Sequence, residues 1–168
     1  MLVFFRADED PELYEVLCDE ICKHIKRFNV DQLLTMLANL RHTLSPSVLE
    51  VYKVVNEELS SRLHSDYSSQ NVGNYIQEED LIKISTLLLD HGHMKEELKH
   101  ATITYIESNL QLMSFEVLAE LAVIFAAKQD STYIKIYFDK VRDKFLMNFE
   151  FLKDETIYKF LWALFKAE

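Results

Sequence analysis

Two glycines and two prolines are all that this chain of 168 residues contains, against roughly twelve and eight at average usage. Both residues interrupt helices, and β-rich folds need them at their many turns. A chain so poor in them has little with which to build hairpins, and its natural solution is long helices with short connections. Leu, Ile, Val, Phe and Tyr are abundant enough to suit strands as well, so periodicity has to decide between the two.

The periodicity is helical throughout. Asp10-Pro11 reads as an N-cap followed by proline at the first helical position. Leu13, Leu17, Ile21, Ile25 and Phe28 follow at spacings of three or four. A second helix begins after Asn29 or Asp31 and carries Leu33, Leu34, Leu37 and Leu40. Ser45-Pro46 opens a third, with Leu49, Tyr52, Val55, Leu59 and Leu63 on its buried line. Residues 65–77 are mostly polar, contain one of the glycines and read as a loop between two halves of a single domain spanning 1–168. Further helices are expected over 78–90, 93–112, 114–128, 131–149 and 155–167, the last capped by Asp154.

These segments alternate between short apolar helices and longer, more charged ones. The short ones superpose: Leu33-Leu34-x-x-Leu37-x-x-Leu40 matches the strings that start at Leu81, Val117 and Ile157, which lie 48, 36 and 40 residues apart. The longest interval exceeds the others by about the length of the polar loop. The expected fold class is therefore all-α, an α-solenoid of stacked helix pairs with about eight helices and a repeat near 36–40 residues. The alternative is an irregular bundle whose amphipathic helices merely look alike.

Charge narrows the function. Twenty-eight acidic residues against 18 basic ones leave a net charge of −10. Such a chain repels phosphate backbones, which disfavours free-standing nucleic-acid binding. Residues 114–168 are nearly balanced, so an RNA-facing stripe would use Lys135, Lys140, Arg142 and Lys144 with Tyr133 and Tyr137 beside them. Asp139 and Asp143 interleave, and a solvated face with ion pairs one turn apart accounts for the same pattern.

No constellation carries recognisable chemistry. Cys18 and Cys22 share a helix face but form only half of a zinc site, and buried apolar roles explain them. His91-Gly92-His93, with His100 beyond, reads as a helix C-terminus rather than a metal site. Glu78-Glu79-Asp80 sits where a helix N-terminus attracts acids. Glycine-rich phosphate loops, nucleophile elbows and zinc-protease motifs do not occur. We expect no catalysis, no cofactor and no metal. No apolar run reaches the length of a membrane span.

The last helix is the most telling segment. Ile157, Tyr158, Phe160, Leu161, Trp162, Leu164 and Phe165 occupy seven of nine consecutive positions. At about 100° per residue they cover roughly 200° of the circumference, twice what a single core contact needs. Terminal repeats normally turn a polar face outward. Either this helix folds back into the body or a partner protein covers it, and we favour the partner, with Phe160, Leu161, Trp162 and Phe165 as its anchors. Leu2, Val3, Phe4 and Phe5 pose the same question at the other end and read as an arm that orders on another subunit.

Tyr158-Lys-Phe-Leu-Trp-Ala-Leu-Phe-Lys166 resembles the leucine-tryptophan-alanine-leucine helix of organellar helical-repeat proteins, the heptatricopeptide repeat and the RAP-domain, FAST-kinase-like families. Ser114-Phe-Glu-Val-Leu-Ala-Glu-Leu-Ala fits the same register, and the likeness extends over about 30–168. It implies a mitochondrial setting, with work on RNA or membership of a ribonucleoprotein such as a ribosome. The chain departs from the pattern in being acidic and in lacking room for a RAP domain. Both departures turn the expectation from an RNA-binding module in organellar RNA metabolism toward a protein-facing structural subunit, which would meet RNA only as part of a complex.

Overall fold

In the computed structural model, which describes residues 11–40, 45–64, 76–90, 94–127 and 131–167, every regular element is helical. Eight α-helices are present among the described residues: α1 (Pro11–His24), α2 (Val30–Leu40), α3 (Pro46–His64), α4 (Glu78–Asp90), α5 (Glu96–Asn109), α6 (Phe115–Ala127), α7 (Ser131–Asn148) and α8 (Asp154–Ala167). Short 3₁₀ turns, Ile25–Arg27 and Phe149–Phe151, finish α1 and α7. The N-terminal arm Leu2–Phe5, the body of the polar loop and the His91-Gly92-His93 string lie outside the described residues.

Local chemistry sets the helix starts. Asn29 rather than Asp31 caps α2: its Oδ1 accepts from the Gln32 amide at 2.8 Å, and Gln32 Oε1 accepts from the Asn29 amide at 2.9 Å, a reciprocal capping box. Ser45 Oγ and Ser114 Oγ accept from the amides of Val48 and Val117, each at 3.3 Å. The expected helix over 93–112 is shorter at both ends. Lys95 donates its amide to Asn56 Oδ1 at 2.9 Å and is held extended, so α5 cannot begin before Glu96. Beyond Asn109 the chain passes through turns to a buried Met113.

Packing follows a simple order. Odd-numbered helices touch in succession, α1 with α3, α3 with α5, and α5 with α7. Even-numbered helices do the same from α2 to α8, and α2–α3, α6–α7 and α7–α8 join the two rows of contacts. Hydrogen bonds and ion pairs follow these neighbour relations. Lys83 of α4 reaches Asp31 of α2 at 3.0 Å, and the Ser114 amide before α6 donates to Glu78 at the start of α4 at 2.9 Å. Lys140 of α7 meets Glu107 of α5 at 2.6 Å, and Lys159 of α8 meets Glu120 of α6 at 2.8 Å.

The core runs the length of this stack. Tyr137, Phe125, Phe145, Leu33, Leu59 and Leu118 are among its largest buried side chains, and Phe125 meets Tyr137 edge-on at 5.1 Å. Two expected buried lines hold in part. On α3 Tyr52, Val55, Leu59 and Leu63 are buried as expected and Leu49 is exposed, with Val48 and Val51 buried beside them. On the first helix Ile25 faces inward as expected, while Leu13 and Leu17 are exposed and Cys18 is buried, because α1 packs against α3 on one side.

Candidate interaction face on the last helix

α8 opens with Asp154 and Glu155 in its first turn and ends with Lys166 in its last, which suits the helix dipole at both ends. Its inward side is Thr156, Phe160 and Ala163, all buried. Phe160 stacks on Phe145 of α7 with ring centroids 3.7 Å apart and planes 7° from parallel, and meets Phe138 edge-on at 5.0 Å. Of the four residues expected to anchor a partner, Phe160 is thus turned into the chain's own core. The apolar arc is simply wide enough to serve both sides of the helix.

Leu161 and Phe165 point away from that core, while Trp162 is partly buried against it. Leu161 is 49% exposed and Phe165 74%, with Tyr158 beside them at 69%. Trp162 is half-buried at the edge of this face, and Lys166 Nζ lies 5.9 Å from its ring centroid. Register makes the exposure informative. Forty residues earlier on α6, the counterparts of Tyr158, Leu161 and Phe165 are Leu118, Leu121 and Phe125, all buried, with Phe125 edge-on to Tyr133 and Tyr137 of α7. The outward face of α8 therefore carries the same kind of side chain that α6 buries at the same register. At the end of α7, Leu146, Met147, Phe149 and Phe151 are exposed as well.

The basic residues of α7 do not form one stripe. Lys144 is turned inward, where its ammonium donates to the Leu110 and Met113 carbonyls at the end of α5 and lies 4.8 Å from the Phe115 ring centroid. Partial burial there lowers its pKa. Lys140 is engaged with Glu107, and Arg142 is exposed with Nε 3.2 Å from Asp143. Lys135 and Arg142 flank an open cleft of about 410 Å³ between α7 and α8, lined also by Phe138, Asp139, Leu164 and Ala167. Asp139 stands with the two cations, so positive charge does not accumulate there.

Arg62 was not legible as a functional or structural residue in the sequence. From α3 it donates Nη2 to the Phe28 carbonyl after α1 at 2.8 Å and Nε to Glu58 at 2.8 Å, with both side chains largely buried. Arg62 and Lys144 do the same job, each closing the C-terminal carbonyls of the preceding odd-numbered helix. The signal that marks them is a cation 34 residues beyond a helix end.

Burial raises the pKa of the Cys18 and Cys22 thiols, and both cysteines are unbridged. Among the described residues no group of three or more His, Cys, Asp or Glu side chains is placed to hold a metal ion. Asp80 accepts from the Gln77 amide at 3.0 Å and pairs with Lys83, which accounts for it as a helix-start residue. Among the described residues no helix is long and apolar enough to cross a membrane. No protein-family model, curated protein or solved structure matches this chain.

Proposed function

We propose that this protein is a non-catalytic helical-repeat scaffold, an α-solenoid that holds another protein against the outer face of α8 as a subunit of a larger assembly. The single observation behind this reading is the register of that face: side chains whose counterparts on α6 are buried stand exposed on α8. An uncovered surface containing Tyr158, Leu161 and Phe165 is an aggregation liability unless a partner shields it. The succession of contacts between neighbouring helices supports the solenoid part of the proposal, since stacked repeats contact adjacent units. A mitochondrial ribonucleoprotein as the setting rests on the resemblance of the Tyr158–Lys166 string alone. The RNA-binding alternative loses strength, because Lys144 and Lys140 are engaged within the chain.

A Leu161→Glu, Phe165→Glu variant tests the open face. If the face is open, the variant keeps its helical circular dichroism, melts within about 2 °C of the native chain, and in solution dilute enough for the chain to be monomeric binds far less of a fluorescent hydrophobic dye. A variant that unfolds, or one whose dye binding is unchanged, would overturn the proposal.

A further inference from the structure

The outer face of α8 is complementary to itself. On a helix of about 100° per residue, Tyr158, Leu161 and Phe165 fall within about 60° of one another, and Glu155 and Lys166 lie about 20° apart on one flank of that stripe. Taken along the helix, these residues are arranged almost symmetrically about Leu161. An aromatic ring stands three residues before it and another four after, and an acid stands six before and a base five after. When two such helices meet antiparallel about a two-fold axis, a flank faces the same flank of its twin. Leu161 then meets Leu161 on the axis, Tyr158 lies opposite Phe165 of the second copy, and Glu155 opposite Lys166.

We propose that the occupant of this face is a second copy of the chain, paired through α8 in that antiparallel, two-fold arrangement. The inference rests on the open-face reading above and names the partner. An isologous contact needs each residue to be complementary to the one it meets on the twin, and the spacing about Leu161 supplies such pairs. Charge agrees: the two Glu155–Lys166 pairs are of opposite sign, and antiparallel helices oppose their dipoles. Glu155 also meets Lys159 at 3.0 Å on its own helix, and a carboxylate has acceptor sites for both. Area sets the strength. Tyr158, Leu161 and Phe165, from 49% to 74% exposed, offer roughly 400 Å² per copy if a fully exposed aromatic side chain presents about 200 Å². That is about half of the ~800 Å² per partner of a standard interface. The polar flanks and the exposed edge of Trp162 add to it, and a face of this size fits a reversible dimer.

The test is the solution mass of the full chain by sedimentation equilibrium from about 1 to 200 µM. The expected result is a rise from 19.8 kDa toward twice that value. Phe165→Glu should weaken association at least about tenfold. Glu155→Lys and Lys166→Glu should each weaken it about three- to tenfold, and the double exchange should return it to within about threefold of native. A native chain that stays monomeric overturns the pairing, as does a dimer indifferent to Phe165→Glu. Loss without rescue in the double exchange, or an open-ended series of larger masses, overturns it too. The open-face reading fails separately: a native monomer whose Leu161→Glu, Phe165→Glu variant keeps its stability and loses the dye refutes the second copy alone, while a variant that unfolds removes both.

Discussion

Arg62 ties the end of the first helix to the third, and its replacement by alanine should be among the most damaging single changes in the N-terminal half. The guanidinium is 5% exposed and its Glu58 partner 13%. Alanine removes charge-assisted hydrogen bonds to Glu58 and to the Phe28 carbonyl. Bonds of that kind contribute about 1.5–3 kcal/mol each, and breaking a buried ion pair from one side costs about 3–5 kcal/mol because the remaining charge is stranded. The two figures describe overlapping effects and are not added. Glu58 retains a little water contact, so the lower part of the range applies, and we predict about 3–4 kcal/mol. The assay is urea denaturation followed by circular dichroism. Arg62→Lys keeps the charge but loses the planar fork and should cost about 1–2 kcal/mol. Arg62→Met combined with Glu58→Met removes both charges together and should lie within about 1 kcal/mol of native. A cost below about 1 kcal/mol for Arg62→Ala would refute the reasoning. So would a double methionine variant as unstable as the alanine.

Three other outcomes are expected. Phe160→Ala should cost about 3–5 kcal/mol in the same assay while Phe165→Ala stays within about 0.5 kcal/mol; equal costs would mean that both faces of α8 are core. Asn29→Ala should cost about 1 kcal/mol by removing one arm of the capping box, and Gln32→Ala combined with it should cost less than the sum of the two single changes. Burial raises the pKa of Tyr137 well above its ordinary value of 10.0. Folded Tyr137 therefore keeps its proton where the unfolded chain releases it. The native chain should lose about 1.4 kcal/mol per pH unit above about pH 10 relative to Tyr137→Phe. Below that the difference between them should be constant. Urea midpoints of both chains from pH 8 to 11.5 check this, and parallel curves would contradict it.

Helices and their starts were legible because they depend on neighbours in sequence. Ser45 and Ser114 cap through bonds only three residues long, and the scarcity of Gly and Pro leaves few places to stop. Which part of an apolar arc turns inward was not legible. Leu13, Leu17 and Leu49 share the spacing of buried residues and lie outside, and Phe160 and Phe165 belong to one arc yet end on opposite sides of α8.

Lys144 makes the same point for charge. Beside Lys140 and Arg142 it reads as part of a basic stripe, yet its ammonium closes the carbonyls of a helix end more than thirty residues away. Periodicity specifies that a helix has an apolar side, and capping residues specify where it begins. Only the placement of the next helix decides how much of that side is removed from water, because burial is a property of two surfaces in contact and a sequence records one of them at a time.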